Sequence, residues 1–143
     1  MSQLKRRIKT CVLSLSIIIQ AGLVGGVAAL QRLTRLKAGV MRHLYQRRLQ
    51  YEQAFLTPQF LWGLSFLNLV GAVLCLYRAH CQHRKKGSRL AVIYWLMAGV
   101  LNLWNLFVIH GNYFKDLLAH PYFMLAFHLV WVIQVIGAMI TEE

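Results

Sequence analysis

The stretch LAVIYWLMAGVLNLWNLFVI, residues 90–109, decides the fold. It contains no Lys, Arg, Asp or Glu, and drawn as a helix it has no polar face. About 20 apolar residues of helix cross a hydrocarbon core of roughly 30 Å. A helix of a soluble bundle needs one polar side toward water, so this stretch predicts a transmembrane helix.

The charged residues of the chain are clustered, which extends the same argument to three further segments. Sixteen Lys and Arg and only four Asp and Glu occur in 143 residues. Four stretches between the clusters carry no formal charge: 10–31, 53–77, 90–114 and 117–141. We therefore predict an all-α integral membrane four-helix bundle, with a basic amphipathic segment between helices 1 and 2. The bundle forms a single domain over 1–143, with spans at about 10–31, 58–77, 90–110 and 121–141.

The first span is predicted to be an uncleaved helix. Its apolar run is longer than the hydrophobic region of an ordinary signal peptide, which favours this interpretation. Gly22 and Gly26 share one face, because they are four residues apart. Small residues at this spacing let another helix backbone approach closely, so we expect the tightest helix contact here.

A basic amphipathic helix is predicted over about 30–46. At 100° per residue, six apolar side chains fall within one arc: Leu30, Leu33, Leu36, Val40, Met41 and Leu44. Arg32, Arg35 and Arg42 point to the other side. Such a helix is expected to lie on the membrane with its arginines at anionic lipid headgroups. Capture of an anionic ligand or partner by these arginines is the alternative, and the helix is expected to end near Arg47 and Arg48, which break the pattern.

The distribution of basic residues predicts an orientation. The connection 78–89 holds five basic residues, whereas the connection 110–121 holds one Lys and one Asp. The positive-inside rule places the first connection and both termini in the cytoplasm. The six basic residues of 32–48 then fall outside, which conflicts with the rule. Because basic residues flank membrane helices, we attribute the net charge of +12 to lipid contact and expect no nucleic-acid partner.

Strong hydrogen-bonding side chains recur near mid-membrane. Counted from the predicted outer helix ends, Gln20, Asn68, Asn102 and His128 lie within about 5 Å of one another in depth. Asn105 lies one turn further out than Asn102 on nearly the same face. Two interpretations stay open: these groups hydrogen-bond the helices together, or they form a polar site for a ligand, a proton or a quinone-like headgroup.

Two histidines flank the short 110–121 connection. His110 and His120 are predicted at similar depth near the outer surface, where they would share a metal or ligate a haem through neutral nitrogens. The alternative is that both histidines contact only water. The sequence therefore does not identify a cofactor. No catalytic motif is present, and all four carboxylate side chains lie outside the predicted spans.

The run YQRRLQYEQAFLTPQFLWGLSFLNLVGAVL, residues 45–74, resembles a stretch in small four-helix bacterial inner-membrane proteins. These are the copper-resistance D and J-type protoporphyrinogen oxidase group and the similar anthrone-oxygenase-like proteins, where a basic, aromatic segment also leads through a Thr-Pro or Asn-Pro step into the second span. The resemblance implies the bacterial inner membrane. The J-type enzymes use a histidine in the first span and a lysine in the third, and this chain has neither, so no functional residue is transferred.

These features together favour a non-catalytic accessory subunit or interaction protein over an enzyme, and a larger membrane complex is the candidate partner. Two alternatives remain. One is a redox enzyme that handles haem or a quinone at the polar layer, and the other is a minor transporter component.

Overall fold

The computed structural model describes residues 3–54, 56–85 and 89–142, with side chains from residue 10 onward. These residues form six helices and no strand: α1 Gln3–Leu36, α2 Ala38–Ala54, α3 Pro58–Arg84, α4 Arg89–His110, α5 Asn112–Lys115 and α6 His120–Glu142. Among them, α3, α4 and α6 are long and apolar enough to cross a membrane, as is Thr10–Leu36 of α1. The chain is an all-α, multi-pass integral membrane protein, as the sequence predicts.

The start of α3 follows from its local sequence. Pro58 occupies the first turn, where its missing N–H leaves no hydrogen bond unmade. The Thr57 side chain accepts a hydrogen bond from the Phe60 backbone N–H at 3.4 Å. At its other end α3 continues to Arg84, beyond the predicted limit at residue 77. Charged side chains mark where the apolar segment ends without interrupting the helical hydrogen bonds.

The four long helices lie in the spatial order α3, α4, α6, α1. The central helix α4 packs against both α3 and α6, while α1 packs against α6. The helices approach closely where their residues are small. A Cβ added at Gly137 of α6 would lie 2.9 Å from the Tyr94 ring of α4, and one at Gly99 of α4 would lie 3.1 Å from the Leu76 side chain of α3. The tightest contacts therefore join α3, α4 and α6.

The glycines of α1 make no such contact within the chain. A Cβ added at Gly22, Gly25 or Gly26 would have none of the described atoms within 4 Å. The expectation that Gly22 and Gly26 form the tightest helix contact of the bundle is thus wrong for contacts within one chain. The residues that meet α6 lie on the opposite side of α1, so the glycine face is turned away from the bundle.

The basic segment between the first two spans differs from its predicted form. Helix α1 continues to Leu36, and α2 runs through Arg47 and Arg48 to Ala54. Arg48 is accommodated because it pairs with Glu52 at 2.6 Å and donates to the Leu117 carbonyl at 3.2 Å. Leu44 is 3% exposed in a cluster with α4, α5 and α6 residues. Helix α2 therefore covers one end of the bundle, which we call the α2 end, rather than only resting on the membrane.

The predicted apolar arc of this segment is only partly buried. Leu30 and Val40 are partly buried and pack against the Leu44 cluster. Leu33, Leu36 and Met41 are exposed. Arg32, Arg35 and Arg42 are exposed, so they are free to meet headgroups or a partner.

Candidate functional site

A hydrogen bond between α3 and α6 forms the centre of the candidate site. Nδ2 of Asn68 lies 3.0 Å from Nε2 of His128 and also donates to the Leu64 carbonyl at 2.8 Å. Nδ1 of His128 lies 2.7 Å from the Met124 carbonyl. A carbonyl requires a donor, so the ring proton is on Nδ1 and Nε2 accepts from Asn68. We call this contact the Asn68–His128 bridge, and the predicted layer residues on these two helices do meet.

Helix α4 contributes two further buried asparagines, Asn102 and Asn105. Asn102 is 1% exposed and approaches Cys75 Sγ at 4.0 Å, and its amide fills the space over Gly71. Asn105 is fully buried, and neither its Nδ2 nor its Oδ1 has a hydrogen-bond partner among the described residues. A buried amide without a partner is costly, typically by about 1–3 kcal/mol.

The helix registers place Asn105 level with the bridge. Gly71 lies opposite Asn102, and both Asn68 on α3 and Asn105 on α4 are one turn away toward the α2 end. Trp104 contacts Phe127, the neighbour of His128, on the other side of α4. Three helices therefore contribute polar groups at one depth, and one of those groups is unpaired.

Gln20 lies apart from this layer. Its Nε2 donates to Oε1 of Gln134 at 3.1 Å, which joins α1 to α6. Gln134 follows His128 by six residues, or about 9 Å along a helix. The depth differs from the expected one because α1 continues to Leu36, whereas the expectation counted from residue 30. Gln134 was not singled out from the sequence, although it is an amide within an uncharged span.

The two histidines of the predicted metal or haem pair each have a protein partner. Nε2 of His110 lies 2.8 Å from Ser65 Oγ, and that hydroxyl donates to the Leu61 carbonyl at 2.7 Å. Nε2 of His120 lies 3.0 Å from the Val108 carbonyl. Within the described ranges, no group of three or more His, Cys, Asp or Glu side chains is placed to hold a metal ion. Cofactor binding by His110 and His120 stays a prediction.

Two grooves between α3 and α6 flank the bridge. The groove toward the α2 end has a volume of about 350 Å³ and is bordered by His128, Leu64 and the aromatic rings of Tyr51, Phe60 and Tyr122. We call it the His128 groove. The other groove has a volume of about 660 Å³, begins next to the bridge at Leu67 and Trp131, and extends away from the α2 end. We call it the Arg78 groove after the basic residue near its open end.

Comparison with protein-family models, curated proteins and solved structures finds no match to this chain. The resemblance of residues 45–74 to the four-helix bacterial group therefore stays an expectation, and the binding proposals below depend on the geometry and charges of the chain.

Proposed function

We propose that this protein is a non-catalytic accessory subunit that binds another membrane protein through the glycine face of α1. The observation that carries the proposal is the open space at Gly22, Gly25 and Gly26. Helices in a membrane associate where small residues let their backbones approach closely. Such a surface is present on α1, and no other part of the described chain fills it.

The glycine face continues along α1 as a single surface. Ile18, Gly22 and Ala29 fall within a narrow arc and are all exposed, whereas Gln20 and Val27 lie on the opposite side and meet the bundle. The arc is wide enough for one helix to pack along it. Since α1 lies at one end of the order α3, α4, α6, α1, a partner helix would add beside it without disturbing α3, α4 or α6.

The charge on this face favours a partner of a different kind over a second copy. Arg32 lies at the edge of this face, toward the α2 end, and is exposed. Two copies in one membrane share their orientation, so pairing through this face would place an Arg32 at each edge of the contact, with no acidic residue of α1 to complement it. A partner helix with an acidic or hydrogen-bond-accepting group at that level would instead be complementary.

The test is recovery of the partner from native membranes in mild detergent. We expect a stoichiometric membrane protein to co-purify with the wild-type chain and to be lost from the Gly22→Leu/Gly26→Leu double variant. Gly63→Leu is the matched control, because Gly63 of α3 is also exposed with nothing within 4 Å. Retention of the partner by the double variant, equal loss in the control, or recovery of further copies of this chain alone would each contradict the proposal.

We also propose that the protein lies in a bacterial inner membrane with both termini in the cytoplasm. The excess of basic residues in 78–89 over 110–121 supports this orientation. In intact cells, a membrane-impermeant maleimide should label a cysteine introduced at Asn112 and not one introduced at Ser88, with the native cysteines replaced. The reverse pattern would contradict it.

Binding of a quinone-like headgroup in the His128 groove is a second candidate. Aromatic rings border the groove, and His128 lies at one end of it. The amide of Asn105, which has no hydrogen-bond partner among the described residues, lies at the same depth as His128. We expect a short-chain quinone to bind the purified protein and to bind more weakly to His128→Leu, while Gly63→Leu leaves the affinity unchanged. Equal affinity in the wild type and His128→Leu would remove this candidate.

A further inference from the structure

The Arg78 groove has an apolar part and a basic part. Leu67, Val70 and Leu74 of α3 line one wall, and Trp131 and Val135 of α6 line the other. Arg78 and Lys85 lie on the same face of α3, toward the end of the bundle opposite α2, and both are exposed. A ligand that fits this groove has an apolar body and a negatively charged end.

The length of the apolar part matches one leaflet of a bilayer. From Leu67 to Arg78 the rise along α3 is about 16 Å, and half of the hydrocarbon core is about 15 Å. The Asn68–His128 bridge lies at the inner limit of the groove. An acyl chain from one leaflet therefore fits, whereas a transmembrane helix of a partner would need a groove about twice as long.

The charge at the open end is positive. Of the residues that the structure describes, no Asp or Glu lines this groove. The carboxylate of Glu142, near the end of α6, accepts a hydrogen bond from Nε1 of the lining residue Trp95 at 2.7 Å, so it offsets one of the two positive charges and leaves this end basic. The Arg78 guanidinium lies 6.0 Å from the centroid of the Trp95 ring, and this contact holds it at the groove. Basic pockets between transmembrane helices at a membrane surface are suited to anionic lipid headgroups.

We propose that the Arg78 groove binds one anionic phospholipid from the adjoining leaflet. One of its two acyl chains lies along Leu67, Val70 and Leu74, and its phosphate lies between Arg78 and Lys85. The long side chains of Arg78 and Lys85 reach the headgroup level while their stems stay against the apolar wall. This lipid site lies on α3 and α6, so it is independent of the glycine face of α1.

The proposal is tested by native mass spectrometry of the delipidated protein, to which phosphatidylglycerol or phosphatidylcholine with the same acyl chains is added back. We expect one phosphatidylglycerol to bind about tenfold more tightly than phosphatidylcholine, because two basic residues favour the anionic headgroup. Arg78→Gln/Lys85→Gln should abolish this preference. The matched control is Arg84→Gln/Arg89→Gln, which removes the same charge from exposed residues that do not line the groove.

A second pair of variants tests the apolar part of the site. Leu74→Trp should fill the groove and lower the occupancy of both lipids, since Leu74 is 58% exposed and the larger side chain does not crowd the core. Leu69→Trp, on an exposed face of α3 outside the groove, should bind lipid like the wild type. Equal affinity for the two lipids, equal effects of the two charge variants, wild-type binding by Leu74→Trp, or a protein chain in place of the lipid would overturn the proposal.

Discussion

Helices α1 and α4 are both apolar enough to cross a membrane, yet their surroundings differ. None of the most apolar window of α1 is buried inside the chain, whereas 39% of the corresponding window of α4 is. Helix α4 lies between two neighbours, while α1 touches α6 along one side. Apolarity alone therefore predicts that a segment crosses the membrane, without predicting which other helices it meets.

The residue types on the buried faces explain the difference. Helix α4 places Ala98, Gly99 and Asn102 toward its neighbours, so that small residues give close approach and amides give polar contacts. Helix α1 has small residues of the same type, but they are on the side away from α6. A small-residue motif therefore identifies a surface suited to packing and leaves open which molecule packs there.

The largest effect is expected from Gly137→Leu in α6. The ideal Cβ of Gly137 already lies 2.9 Å from the Tyr94 ring, so the added side chain must displace that ring or move α4 away from α6. Overpacking of this kind lowers the free energy of unfolding by about 1–3 kcal/mol. Unfolding in detergent by added denaturing surfactant measures the change.

Gly22→Leu is the control for this comparison. Because nothing lies near Gly22, the free energy of unfolding of the isolated chain should change by less than about 0.5 kcal/mol. A destabilisation as large as that of Gly137→Leu would show that the glycine face of α1 is packed within the chain after all.

A smaller effect is expected for the link between α1 and the rest of the bundle. Gln20→Leu and Gln134→Leu each remove the hydrogen bond that joins α1 to α6. A double-mutant cycle on the free energy of unfolding should give a coupling of about 0.6 kcal/mol, the average for such bonds in a membrane protein. Zero coupling would mean that the two side chains do not meet.

An effect of opposite sign is expected for Asn105→Leu. Leu has the same branching as Asn, and the amide it replaces is buried without a partner. The free energy of unfolding should stay unchanged or rise by up to about 1 kcal/mol, because an unpaired polar group is removed. A clear loss of stability in the purified, ligand-free protein would mean that Asn105 is hydrogen-bonded.

Much of the fold follows from the sequence, because lipid imposes a simple rule. Uncharged stretches long enough to cross the hydrocarbon become spans, and Thr57 with Pro58 defines the start of α3. The path of α2 does not follow from this rule. Helical periodicity around Arg48 suggests an interruption, and only the tertiary contacts to Glu52 and Leu117 show why the helix continues.

The sequence predicts which residues form the candidate site better than it predicts which of them form hydrogen bonds with each other. The depth count brings Asn68 and His128 together, and the structure joins them. It misplaces Gln20 because a depth count depends on where each helix ends, and charged residues near Leu36 hide that end. The grooves depend on the distance between α3 and α6, which both pack against α4. No local sequence pattern specifies that distance.

The Asn68–His128 bridge has a consequence for exchange of lipids between the two leaflets. It joins α3 to α6 between the two grooves, so the His128 groove ends near the point where the Arg78 groove begins. With the bridge closed, a headgroup moving along α3 meets a wall at mid-depth. If the bridge opened, the two half-length recesses would join into one continuous slot from face to face, and scrambling of phospholipids would have a path along this side of the protein.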